Sequence, residues 1–194
     1  MELRQEDIER VVAAALAEDV GSGDATTLAL VPEDARCRAE LLLEEPGVVC
    51  GVTVAASVFR ALDPTVAVEA RVEEGAALSD VPALLAEVEG PARAILSGER
   101  VALNLLGRLC GIASLTRRFV ELTEGTRTTV LDTRKTTPGS SSSSSARQRA
   151  SSGTSASVVA SPEPTSSASA AVTTRSMSSC FSSIAPAPGL RRGE

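Results

Sequence analysis

The feature that most limits what this chain can fold into is an abrupt change of composition after Gly139. Up to that residue, runs of Ala, Val and Leu alternate with Asp, Glu and Arg, which is typical of a globular protein with helices and strands. Over residues 140–194 serine dominates and bulky apolar side chains are scarce. Such a segment buries too little apolar surface to offset the entropy of an ordered chain. The sequence therefore predicts a folded portion within residues 1–139 and a serine-rich, low-complexity, disordered tail over residues 140–194.

The charge of the chain argues against nucleic acid as a partner. The formal net charge is −6, and only Glu163 and Glu194 among the acidic residues lie after Gly139, so the acidic character belongs to the folded portion. Phosphate backbones are bound by clustered Lys and Arg, whereas this chain contains a single lysine, Lys135.

The cysteines and the N-terminus indicate a cytoplasmic protein without a metal centre. Cys37, Cys50, Cys110 and Cys180 show no Cys-x-x-Cys spacing, and the chain has no histidine, so we predict reduced, mostly buried thiols and no metal ligands. The segment from Met1 to Glu9 is polar, which does not fit a secretory signal, and no apolar run is long enough to cross a bilayer. We expect a cytoplasmic location and no membrane partner.

Hydrophobic periodicity and turn residues predict an α+β sandwich with a small mixed or antiparallel sheet. Gly21 is expected to end the first helix, and Gly98 is a point at which the last one could break. The predicted helices are Ile8–Leu16, Val52–Leu62 and Ala92–Leu122, and the predicted strands are Arg36–Glu44, Val48–Cys50, Thr65–Val72, Leu84–Val88 and Thr128–Leu131.

The residues after the last predicted strand form a candidate anion site. Thr133, Arg134 and Lys135 follow that strand directly, and ligands of α/β proteins bind where loops converge at the carboxyl ends of strands. A guanidinium can hold a carboxylate by two parallel hydrogen bonds, an ammonium adds a compact charge, and a hydroxyl adds a directional donor. On its own, the cluster could equally be a solvated loop.

Four segments in the same order resemble the quinolinate phosphoribosyltransferases, also called carboxylating nicotinate-nucleotide pyrophosphorylases. The most specific is Leu131 to Gly139, with the sequence LDTRKTTPG. Glu18 to Thr27 is similar to the N-terminal motif of the family, Gly47 to Gly51 to a strand and turn, and Gly98 to Asn104 to the start of a helix. The resemblance covers about the first 139 residues.

The resemblance implies formation of nicotinate mononucleotide, CO2 and pyrophosphate from quinolinate and phosphoribosyl pyrophosphate in NAD biosynthesis, with Mg²⁺ as cofactor. It implies that Arg100, Thr133, Arg134 and Lys135 bind quinolinate and that Lys135 is catalytic. Arg100 would reach the ligand of a partner subunit, which makes a homodimer part of the site. Without the resemblance, Arg100 would be interpreted as a helix-terminal arginine paired with Glu99 or another surface acid.

The resemblance also implies a domain division. Residues 1–112 would form the N-terminal α+β domain, and residues 113–139 would begin a truncated, TIM-like α/β barrel of which Thr128 to Leu131 is the orphaned first strand. The motifs that family members carry beyond this point are absent, which predicts an incomplete active site and exposed apolar faces. A shifted reading frame in a GC-rich gene is one hypothesis for the change at Gly139.

Three other functions fit parts of the sequence. The chain could be a catalytically inactive, dimerising fragment of the enzyme. The segment from Val68 to Ile95 resembles a biotinyl or lipoyl carrier hairpin, although it contains no lysine to modify. A related phosphoribosyltransferase, or the molybdenum-transport relative of the family, shares much of the Asp-Thr-Arg-Lys motif.

Overall fold

The computed structural model describes residues 4–132, 157–160 and 172–176. Helices and strands alternate irregularly along this part of the chain, as in an α+β protein. The helices are α1 (Gln5–Asp19), α2 (Ala25–Leu30), α3 (Val52–Leu62) and α4 (Ala92–Thr123). The strands are β1 (Arg36–Leu43), β2 (Gly47–Val48), β3 (Ala67–Ala70), β4 (Ala77–Leu78), β5 (Ala83–Pro91), β6 (Thr129–Asp132), β7 (Ser157–Ala160) and β8 (Val172–Ser176).

The main sheet has four strands in the order β3-β5-β1-β8, and all neighbours are antiparallel. Its longest pairing joins β1 to β5, with a register shift between Leu41 and Leu42. Two smaller pairs lie beside it: β2 and β4 are antiparallel, and β6 and β7 are parallel. The prediction of a small antiparallel sheet is confirmed.

The core lies between the main sheet and the helices α3 and α4. Its largest fully buried side chains come from both layers, because alternate residues of β1 and β5 and one face of each helix point inward. Gly98 lets α4 approach α3, since a Cβ at that position would lie 2.9 Å from Leu62 Cδ1 and 3.2 Å from Phe59 Cδ1. These fully buried side chains include Leu41, Leu43, Val58, Phe59, Leu85, Val88, Ile95 and Leu106.

Helix α3 begins without a capping side chain of its own. Gly51, which precedes it, adopts a left-handed conformation with φ of 99°. The carboxylate of Glu74 accepts hydrogen bonds from the backbone N–H groups of Gly51, at 2.7 Å, and Thr53, at 3.1 Å. A carboxylate from a distant loop thus satisfies the first N–H groups of the helix and complements its dipole.

Most predicted elements of the folded portion are confirmed, with shifted ends. Helix α3 matches its prediction, and α4 runs unbroken past Gly98, because that glycine packs against α3 instead of ending a helix. The predicted strand Val48–Cys50 is instead the two-residue β2, and the predicted strand Thr65–Val72 shortens to β3. Strand β5 extends beyond its prediction through Gly90 and Pro91 to the start of α4.

The C-terminal part contains two strands that the sequence does not predict. Strand β6 lies one residue along from the predicted Thr128–Leu131, and it pairs in parallel with β7. The predicted disordered tail contains two strands, β7 and β8, and β8 extends the main sheet beside β1. The other residues of 140–194 lie outside the described part, and assignment of β6 to a barrel stays a prediction.

Candidate functional site

Arg100 is the one predicted site residue within the described part of the chain. It lies in the third turn of α4, so it is not the helix-terminal arginine that the sequence suggests in isolation. Its partner is Asp19, the last residue of α1, 81 positions earlier in the chain. The contact therefore joins α1 and α4, which lie far apart in the sequence.

The geometry of this pair leaves much of the guanidinium open to solvent. Arg100 Nε lies 2.9 Å from Asp19 Oδ1 and donates to Asp19 Oδ2 at 3.0 Å. The arginine side chain is 71% exposed, whereas the aspartate is 28% exposed. Among the described residues, no hydrogen bond uses the terminal Nη atoms of Arg100. Those atoms form a donor pair that can bind a carboxylate end-on.

Asp24 adds a second carboxylate next to Arg100 and fixes the start of α2. Its Oδ1 accepts from the backbone N–H groups of Thr26 and Thr27, at 3.1 and 3.2 Å, and its Oδ2 accepts from the Thr27 hydroxyl at 2.6 Å. The hydroxyl and N–H of Thr27 lower the pKa of Asp24, with a smaller contribution from the charge of Arg100. Asp24 is therefore an N-cap residue.

Arg93, two turns before Arg100 on α4, ties the end of α2 to the same helix. Its Nε donates to the Val31 carbonyl at 2.9 Å, and its Nη2 donates to the Leu28 carbonyl at 3.4 Å. Unlike Arg100, this arginine donates to backbone carbonyl groups. Arg93 thus ties α2 to α4, whereas the terminal nitrogens of Arg100 are not used in this way.

Thr133, Arg134 and Lys135 lie outside the described residues, so their predicted roles stay predictions. Strand β6 ends at Asp132, directly before them, as expected for a site at the end of a strand. Arg117 pairs with Glu121 at 2.8 Å across one helical turn.

One groove of the described part does not include Arg100 in its lining. It has a volume of about 680 Å³ between α1, α3 and β3, and its lining includes Ile8, Val12, Ala56 and Val68. The described residues contain no group of three or more His, Cys, Asp or Glu side chains that could hold a metal ion. None of the described helices is long and apolar enough to span a membrane.

The contact that sequence reasoning missed is the ion pair between Asp19 and Arg100. Asp19 lies within the segment from Glu18 to Thr27, for which the sequence predicts no ligand-binding residue. A carboxylate at the C-terminal end of a helix opposes the helix dipole, and α1 has no basic residue in its last turn. That unfavourable position was the available signal that Asp19 interacts with a cation elsewhere.

Comparison with protein families identifies the fold of this region. Residues 24–110 match the family described as "Quinolinate phosphoribosyl transferase, N-terminal domain". A probable nicotinate-nucleotide pyrophosphorylase [carboxylating] of Bacillus subtilis is 40% identical over 122 residues, which are 63% of this chain and 42% of that protein. A quinolinate phosphoribosyltransferase [decarboxylating] 1b of Nicotiana tabacum is 36% identical over 134 residues, 69% of this chain and 37% of that protein.

Solved structures agree with the sequence comparison. The crystal structure of NadC from Streptococcus pyogenes superposes with a TM-score of 0.66 at 38% identity, over 72% of this chain and 49% of that one. A nicotinate-nucleotide pyrophosphorylase from Francisella tularensis gives a TM-score of 0.64 at 32% identity, over 71% and 49%. The chain thus spans less than half the length of the relatives that it matches.

Proposed function

We propose that the chain serves the reaction of the quinolinate phosphoribosyltransferases, because residues 24–110 match the N-terminal domain of that family. Quinolinate and phosphoribosyl pyrophosphate would be converted to nicotinate mononucleotide, CO2 and pyrophosphate, a step of NAD biosynthesis. The observation that carries this proposal is Arg100, an exposed guanidinium whose terminal nitrogens are open to a carboxylate of the substrate.

The remaining substrate contacts would come from the residues after β6. Arg134 would bind a second carboxylate, Thr133 would donate a hydrogen bond, and Lys135 would be the catalytic cation that stabilises developing negative charge. In this proposal β6 is the first strand of an α/β barrel, and residues 113–139 belong to it. Residues 1–112 form the N-terminal domain, although α4 crosses the boundary without a break.

The proposal includes a homodimer in which Arg100 reaches the quinolinate of the partner subunit. It also includes Mg²⁺, bound to the pyrophosphate group of the substrate, where it would neutralise charge on the leaving group. The described residues do not fit a magnesium site, because Asp19 and Asp24 are already bound to Arg100 and to α2. No step is therefore assigned to the metal. We place the reaction in the cytoplasm.

The test is formation of nicotinate mononucleotide from quinolinate, phosphoribosyl pyrophosphate and Mg²⁺ by the purified chain. Arg100→Ala and Arg134→Ala are expected to lower turnover by at least tenfold, since each removes a bidentate contact to a carboxylate. Arg108→Ala is the matched control for Arg100, because Arg108 is exposed on the same helix. Arg127→Ala, exposed just before β6, is the control for Arg134. Equal losses in all four variants would contradict the proposed roles.

A second candidate function is a non-catalytic, dimerising module. It is favoured by exposed apolar side chains near the end of α4, where Phe119, Val120 and Leu122 are 37%, 44% and 79% exposed. Absence of turnover, together with co-sedimentation with the intact Bacillus subtilis relative, would support it. A monomer with no affinity for that relative would eliminate it.

A further inference from the structure

The ion pair between Asp19 and Arg100 indicates a role for the aspartate. We infer that Asp19 is a positioning residue, which holds the Arg100 guanidinium with its terminal nitrogens directed to a substrate carboxylate. The inference rests on the proposed function, because it takes Arg100 as the residue that receives the carboxylate.

The atoms in contact support these two roles, in which Asp19 holds the guanidinium and the terminal nitrogens of Arg100 bind the ligand. Asp19 binds the guanidinium through Nε, with both carboxylate oxygens within 3.0 Å of it. A guanidinium has five N–H donors in one plane, so an anchor at Nε leaves the end-on Nη pair intact. An unanchored arginine at 71% exposure samples many rotamers, and a ligand that binds it must freeze them. Because Asp19 already restricts these rotamers, less side-chain entropy is lost when the ligand binds.

The position of Asp19 in the fold keeps the anchor itself in place. Helix α1 ends immediately after it, where Val20 and Gly21 both donate backbone hydrogen bonds to the Leu16 carbonyl, at 2.9 and 3.1 Å. Gly21 has φ of 54°, the left-handed conformation that ends helices. The acid opposes the dipole of its own helix, so helix stability does not explain its presence, whereas the contact with Arg100 does.

Charge and position act in opposite directions when Asp19 is replaced. Loss of the negative charge strengthens attraction of an anionic ligand to Arg100, and loss of the hydrogen-bond acceptor frees the arginine side chain. Asp19→Asn and Asp19→Ala are both neutral, but the amide oxygen of asparagine can still accept from Arg100 Nε. The difference between these two variants therefore isolates the positioning effect.

The experiment titrates quinolinate into the full chain and follows the side-chain Nε–Hε signal of Arg100 by NMR. We expect Asp19→Ala to bind quinolinate on the order of threefold to tenfold more weakly than Asp19→Asn, the effect of freezing one long side chain. In the wild-type chain, the Nε–H of Arg100 should also exchange with solvent more slowly than that of Arg108. This comparison uses no variant, so it does not depend on whether a variant folds.

Each outcome separates the inference from the proposed function. If quinolinate shifts the Arg100 signal but Asp19→Ala and Asp19→Asn bind equally, Asp19 does not position the arginine, while the role of Arg100 stands. Equal exchange rates for Arg100 and Arg108 would also overturn the inference. If quinolinate leaves the Arg100 signal of the wild-type chain unchanged, the proposed role of Arg100 fails, and the inference fails with it.

Discussion

The two halves of α4 share one helix but differ in what they contact. From Ala92 to Gly111 one face is buried against the sheet and α3, whereas Phe119, Val120 and Leu122 near its other end are exposed. The last buried residue of α4 is Gly111, one residue after the family match ends at Cys110. A continuous apolar pattern along a helix therefore predicts the helix, but it does not predict where the core that covers it stops.

The largest effect should distinguish leucines in the two halves. Leu106 is fully buried, so Leu106→Ala should lower the free energy of unfolding by about 2–5 kcal/mol through lost burial and a residual cavity. Leu122 is 79% exposed, so Leu122→Ala should change it by less than about 0.5 kcal/mol. Urea denaturation monitored by circular dichroism measures both. Similar losses in the two variants would mean that the end of α4 is packed after all.

Two glycines with positive φ extend the comparison to the backbone. In Gly51→Ala, the new Cβ would lie 2.5 Å from Leu109 Cδ1 and 3.2 Å from its Cβ, so crowding adds to strain, and we expect a loss of about 2–4 kcal/mol. Gly125, with φ of 73°, has nothing within 4 Å of such a Cβ, so Gly125→Ala should cost only the strain, about 1–2 kcal/mol. The same denaturation experiment applies, and a larger loss at Gly125 would contradict the packing described around Gly51.

Alkaline pH should destabilise the packed region through its thiols. Burial, with help from the charge of Glu74, raises the pKa of Cys50 from 9.0 to about 11, and burial also raises the pKa of Cys110. The stabilisation from a protonated Cys50 is complete below pH 9 and is lost as the pH rises through 11. We expect about 1 kcal/mol at this partly exposed site.

The measurement is the unfolding free energy as a function of pH, and its control is Cys50→Ala, which should reduce the loss between pH 9 and 11 and leave the part that comes from Cys110. Apart from the other cysteines, few groups titrate in this range, because the chain has no tyrosine and a single lysine. An unchanged slope in the variant would assign the alkaline loss to other groups.

Leu122→Glu should have the smallest effect on stability, but it should clearly reduce self-association. Leu122→Glu replaces an exposed apolar side chain with a charged one, so the unfolding free energy should change by less than about 0.5 kcal/mol. Self-association at high concentration should fall, because the variant removes part of an exposed apolar patch. Sedimentation velocity measures this, with Arg118→Glu, exposed on the same helix, as a control for added negative charge. Equal effects of both variants would show that charge alone is responsible.

Much of the fold could be predicted because local patterns agree with tertiary packing. Three features can each be recognised within a few residues of sequence: the alternating burial along β1, the helical spacing of apolar residues in α3 and the turn at Gly21. Gly98 left a break in α4 open in the prediction, because a glycine that breaks a helix and a glycine that lets two helices approach look the same in sequence.

The site was harder to predict than the fold. Arg100 was found through family resemblance, and its local sequence suggested a pairing with Glu99 or another surface acid. The pairing with Asp19 spans 81 residues, and no local pattern encodes a contact of that separation. Similarly, β7 and β8 lie in a serine-rich segment whose composition argues against strands, and they form by pairing with distant strands.

The most direct test of the division of α4 is amide hydrogen exchange resolved along that helix. If the core ends at Gly111, amides on the buried face between Ala92 and Gly111 should exchange near the global unfolding rate, and amides from Ala113 to Thr123 should exchange at least a hundredfold faster. Uniform protection along all of α4 would contradict the account, because it would mean that the exposed end is held by contacts equal to those of the core.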